Sequence, residues 1–167
     1  MAYDNTEVPA ARSQEGIRAI LNKYGVRDTQ FTDCWPKGVS VEFIRVEDNG
    51  KGVEKIIRVR IVGKPNAGNL VVKKARRHYR YGQKQTATTA ERKSDDERRR
   101  VYRVIYYHLK SKLEAVAEGL VTFEEEFLPH IVLPSGATVY DELRSHLPAV
   151  FAGTQRLALP SFGGEAK

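Results

Sequence analysis

The densest run of chemistry-bearing residues in the chain is Lys73-Lys74-Ala75-Arg76-Arg77-His78-Tyr79-Arg80-Tyr81-Gly82-Gln83-Lys84. Six of these twelve residues are Lys or Arg, and none is acidic. Cations at this density neutralise phosphates and release counterions, and tyrosine rings stack on unpaired bases. Arginine adds forked contacts to phosphate. Lys73, Lys74, Arg76, Arg77, Tyr79, Arg80, Tyr81 and Lys84 are therefore candidate nucleic-acid-binding residues. Glu97-Arg98-Arg99-Arg100 with Arg103 could extend the patch, or could pair locally with Asp95 and Asp96.

A second cluster, Glu124, Glu125, Glu126 and His130, has the ligand types that suit Mg²⁺ or Mn²⁺. On a helix the three adjacent carboxylates fan apart by about 100° each. A metal site would need a distant partner such as Asp141 or Glu142, which makes Glu125, His130 and Asp141 weak candidates and leaves no metal site expected. Cys34, the single cysteine, could with His130 suggest a thiol nucleophile. A lone Cys beside Trp35 reads instead as a small core residue. The chain contains no P-loop, G-x-G-x-x-G, G-x-S-x-G or H-E-x-x-H motif, so no cofactor and no enzymatic activity are expected.

The elements that must position these residues follow from periodicity. Ser13 reads as an N-cap for a helix over 14–24, with Ile17, Ile20, Leu21 and Tyr24 on one face and Gly25 terminating it. Thr29 to Cys34 reads as a short strand. Val39, Val41 and Phe43 alternate with polar residues, as do Ile57, Val59 and Ile61 with Arg58 and Arg60. A polar, glycine-bearing turn at 47–52 joins these two strands into an antiparallel hairpin. Arg58 and Arg60 then share the face opposite the core and join the candidate binding residues. Leu70–Val72 is a possible further strand. Ser94 and Glu97 have capping-box spacing and predict a helix to about Glu118, with Val101, Ile105, Leu109, Leu113 and Val116 facing inward. Thr122 with Glu125 predicts a short helix, 130–133 a strand, and Thr138 the cap of a last helix.

The whole reads as one α+β domain over 1–167. It comprises an N-terminal helix, an antiparallel sheet of three or four strands, one long helix packed on it and a small helical C-terminal section. Residues 1–12 form an extended arm, 63–93 a long basic loop and 153–167 a loose tail. No apolar run approaches the roughly 18 residues that span a bilayer. The N-terminus lacks the features of a signal peptide, and one cysteine precludes an internal disulfide. A cytoplasmic protein with no membrane partner is expected. Its formal net charge of +7 is unevenly placed. Between Leu113 and Leu143 there are seven acids and no Lys or Arg.

The run from Lys110 through Gly136 reads K-x-K-L-E-A-V-x-x-G-x-x-T-F-E-E-E-F-L-x-H-I-V-L-P-x-G. With Arg12-Ser13-Gln14-Glu15-Gly16-Ile17 to Lys23-Tyr24-Gly25, it resembles a group of small uncharacterised proteins encoded by phages and prophages. The resemblance covers the first helix and roughly the last third, and implies residence in an infected or lysogenic bacterial host. It carries no assigned activity. The β-β-β-α order also resembles single-strand annealing proteins at the level of fold alone. The expected function is a non-enzymatic nucleic-acid-binding protein that prefers single-stranded DNA or RNA and is largely sequence-independent. The alternatives are a host-takeover protein that binds a bacterial enzyme through its acidic C-terminal third, and a Mg²⁺- or Mn²⁺-dependent nuclease. No oligomeric state is implied.

Overall fold

The computed structural model describes residues 6–26, 28–48, 54–66 and 87–152. Helix α1 spans Ala10–Lys23 and is followed by strands β1 (Asp28–Asp33), β2 (Val39–Asp48) and β3 (Glu54–Gly63). The long helix α2 covers Ala87–Ala117. A short helix α3 (Phe123–Phe127) runs into a 3-10 turn at Leu128–His130, and α4 (Val139–Arg144) and α5 (Leu147–Phe151) close the described chain. This is an α+β fold with a three-stranded antiparallel meander, β1-β2-β3.

The period-2 pattern sets the register. Phe31 stands opposite Val41 and Val41 opposite Ile61, while Phe43 pairs with Val59. Val39, Val41, Phe43, Ile57, Val59 and Ile61 are buried on one face, against Val101, Tyr102, Ile105, Leu109 and Leu113 of α2. Ile17 and Leu21 bring α1 onto the same core. Two glycines permit the closest approaches. A Cβ on Gly16 would lie 2.8 Å from the Tyr106 ring, and one on Gly63 would lie 2.5 Å from Val101 Cγ1 and 2.8 Å from Ile105 Cδ1.

The short C-terminal helices form as their capping signals dictate. Thr122 accepts from the Glu125 amide at 3.2 Å and Glu125 accepts from the Thr122 amide at 2.8 Å. Thr138 and Asp141 repeat this reciprocal arrangement on α4. Between them, Ile131 bridges to Val59, and Val132 donates to the Arg58 carbonyl at 2.8 Å, so this segment lies along the outer edge of β3. The expected 130–133 strand is thus reduced to isolated bridges, with His130 in the 3-10 turn.

Two boundaries differ from expectation. Helix α1 starts at Ala10 with Pro9 in the cap position, which shortens the expected 1–12 arm; Ala10 and Ala11 are strong helix formers behind a proline whose φ already suits a helix entry. Ser13 is consequently buried inside the helix and its hydroxyl has no hydrogen-bond partner. Helix α2 starts at Ala87, so 87–93 is helical where a loop was expected. Ser94 therefore lies within the helix and is not its cap; its Oγ accepts from Trp35 Nε1 at 2.6 Å. The possible strand at Leu70–Val72 lies outside the described residues. Cys34 is exposed rather than a core residue, because it follows the last residue of β1 at a tight turn. Among the described residues no helix is long and apolar enough to cross a membrane.

Candidate nucleic-acid interface

Lys73, Lys74, Arg76, Arg77, Tyr79, Arg80, Tyr81 and Lys84 lie outside the described residues. The described residues flank their segment on both sides. On one side the Asn66 amide donates to Glu97 Oε1 at 2.8 Å, which ties the chain leaving β3 to α2. On the other side the chain resumes in the first turn of α2 at Ala87.

Glu97 is the residue whose role the sequence concealed. Its spacing from Ser94 reads as half of a capping box, but it is a buried anchor. It is 3% exposed and accepts from Arg100 Nε at 2.8 Å and Nη2 at 2.6 Å as well as from Asn66. A buried carboxylate is tolerated when such forked, charge-assisted bonds replace water. No local pattern distinguishes this use of Glu97, since its Asn66 partner comes from a distant stretch of chain.

The other arginines of α2 divide into distinct roles. Arg98 reaches across to Asp33, with its Nε 2.8 Å from Oδ2, and the same carboxylate accepts from the Tyr102 hydroxyl at 3.1 Å. Tyr102 is fully buried, and burial pushes its hydroxyl pKa up. Arg99 pairs with Asp96. Arg103 donates to the Tyr107 hydroxyl at 2.9 Å, and its guanidinium lies 5.1 Å and 4.8 Å from the Tyr106 and Tyr107 ring centres. The basic start of the helix is thus largely knitted into the frame.

Arg58 and Arg60 stand on the open face of the sheet, as their alternation requires, and both converge on Glu42. Arg58 Nη2 is 2.6 Å from Oε2 and Arg60 Nε is 2.7 Å from Oε1. Arg60 also donates to the Gly136 carbonyl at 3.0 Å. Burial opposes ionisation of Glu42, but the Arg60 and Arg58 hydrogen bonds outweigh it and hold the carboxyl below its usual range.

The acidic cluster does not converge. Glu124 pairs with Lys55, Glu125 caps α3, and Glu126 accepts from Lys112 Nζ at 2.5 Å. Asp141 caps α4. Capping hydrogen bonds from Thr122 and Thr138 hold Glu125 and Asp141 below the ordinary carboxyl range. Among the described residues no three His, Cys, Asp or Glu side chains are grouped to hold a metal ion. His130, the remaining weak candidate, instead meets His108, their ring centres 6.0 Å apart and the planes at 84°. Burial and the nearby charge of Lys112 lower both imidazole pKa values.

The two histidines sit in a groove of about 300 Å³ between the end of β3 and α2. Lys64 and Arg100 also line it, no carboxylate among the described residues does, and Val62 and Val104 supply exposed apolar surface, 52% and 40% accessible. Its ionisable groups are thus all basic or imidazole. Compared with protein-family models, with curated proteins and with solved structures, the chain matches none.

Proposed function

We propose that the protein binds nucleic acid, preferring single strands with little sequence dependence, through the Lys73–Lys84 run and the basic surface flanking it. The observation that carries this reading is where the surplus charge lies. Residues 67–86 contain six Lys/Arg and no acid, and subtracting them from the formal +7 leaves only +1 for the remainder of the chain. The described frame engages Arg58 and Arg60 with Glu42, Arg98 with Asp33, Arg99 with Asp96 and Arg100 with Glu97. By sequence, the surplus formal charge is therefore concentrated in one stretch, a pattern suited to a polyanion.

The direct test is fluorescence anisotropy with labelled single-stranded DNA, duplex DNA and RNA, with and without Mg²⁺. Binding without cleavage is expected. With most of the six cations on phosphates, log K should fall against log salt with a slope of about −3 to −4. The quadruple variant Lys73→Gln, Lys74→Gln, Arg76→Gln, Arg77→Gln should flatten that slope and weaken all sequences alike. Tyr79→Ala or Tyr81→Ala should cost about 1–3 kcal/mol with the slope unchanged. Wild-type protein that does not bind at low salt would refute the proposal.

A second reading, a host-protein binder acting through the C-terminal third, is favoured by exposed apolar groups there. Leu120 is 77% and Phe151 82% accessible, with Leu128 and Tyr140 half exposed. The acids of that region are largely engaged in caps and ion pairs, so this surface would act through its apolar residues.

A further inference from the structure

We infer that the groove between β3 and α2 is a subsite for one nucleotide, taking the phosphate among Lys64, His108 and His130 and the base over Val62 and Val104. The inference rests on the nucleic-acid reading above and names where one unit of the strand would be held. A volume of about 300 Å³ lies at the small end of ligand sites, which are mostly apolar with a few convergent polar groups. This groove has that make-up, its polar side chains among the described residues being Lys64, Arg100, His108 and His130. Arg100 is held against Glu97, which offsets its charge, so Lys64 is the cation the groove offers to the phosphate. The flexible Lys64 lies two residues before Asn66, the last described residue ahead of the cationic stretch, which makes the groove continuous along the chain with the principal source of positive charge.

The imidazoles give the site a signature. Facing them are Lys112 from α2, ion-paired with Glu126 of α3, together with Lys64, Arg100 and the Arg60 carbonyl. Their low proton affinity leaves both rings neutral at neutral pH in the free protein. A phosphate between them favours the imidazolium form, so binding takes up protons and strengthens as pH falls toward the free-protein pKa values.

The test is NMR of the histidine ring signals in the full-length protein, assigned with His108→Gln and His130→Gln and titrated with dTMP, thymidine or inorganic phosphate. Expected are shifts of both rings with dTMP, weaker ones with phosphate, and none with thymidine at equal concentration. Lys64→Gln, an exposed change that leaves the core untouched, should weaken dTMP binding roughly tenfold. Val104→Gln should weaken dTMP while leaving phosphate unaffected. Phosphate binding as tightly as dTMP would reduce the groove to an anion site and overturn the inference, as would unmoved histidine signals. Oligonucleotide anisotropy on the same samples separates the two levels. Oligonucleotide binding without dTMP binding removes the subsite and keeps the broader function, whereas the converse keeps the groove and removes the broader function.

Discussion

Single side chains in this protein often serve two neighbours at once, and those are the positions where substitution is most informative. Ser94 Oγ accepts the only indole N–H in the chain, that of Trp35. Ser94→Ala should cost about 1 kcal/mol through that unpaired donor and should shift the fluorescence of Trp35. A capping loss would leave the emission unchanged, so the spectrum distinguishes the two mechanisms. The titratable groups predict a two-stage response to acid. His108 and His130 have folded pKa values below the ordinary 6.5, so the unfolded chain binds more protons and stability falls as pH drops below that value. Glu42, Glu125 and Asp141 have lowered folded values, so their contribution is present above the ordinary carboxyl range and is lost as pH falls through it. Chemical denaturation at stepped pH should show both stages. The double variant His108→Gln, His130→Gln should remove the first and leave the second.

At the scale of elements, the joint between β3 and α2 depends on Gly63 and Glu97. Gly63→Ala drives a methyl group into Val101 and Ile105, both core residues, and overpacking of this kind costs typically 1–3 kcal/mol. The midpoint of urea unfolding would fall accordingly, with its slope preserved. Glu97→Ala removes the buried carboxylate to which Arg100 and the Asn66 amide donate; losing one member of a buried pair costs about 3 kcal/mol. Hydrogen exchange at Asn66 should accelerate in that variant. The sheet, the core face of α2 and both threonine caps were legible in the sequence, because alternation, 3.6-residue periodicity and the T-x-x-E and T-x-x-D spacings are local signals. The start of α2 was not legible: Ser94–Glu97 has the spacing of a cap, and only contact with Trp35 and Asn66, from the segments after β1 and β3, shows its real use. The pairing of Arg58 and Arg60 with Glu42 was likewise hidden, since it depends on the register of β2 against β3. The histidine groove was missed because His108 and His130 come from separate elements and neither has a motif around it.

At the scale of the whole molecule, the proposed function separates charges that stabilise the frame from charge that would meet a ligand. The described ion pairs are mostly partly exposed, and such pairs contribute about 0–1 kcal/mol each. Raising salt should therefore change the melting temperature only slightly while nucleic-acid affinity falls steeply. Parallel thermal scans and binding isotherms across one salt series would check this, and a melting temperature falling in step with affinity would contradict it. The meander also bears on how the chain reaches this state. Strands β1, β2 and β3 are neighbours in sequence as well as in space, so their contacts can close early. Helix α1 has no such advantage, since it packs on α2, which lies beyond all three strands in the sequence. Loop-closure entropy sets α1 docking late. Trimming Leu21 should accordingly speed unfolding with little effect on the refolding rate, whereas trimming Phe43 in the central strand should slow refolding itself.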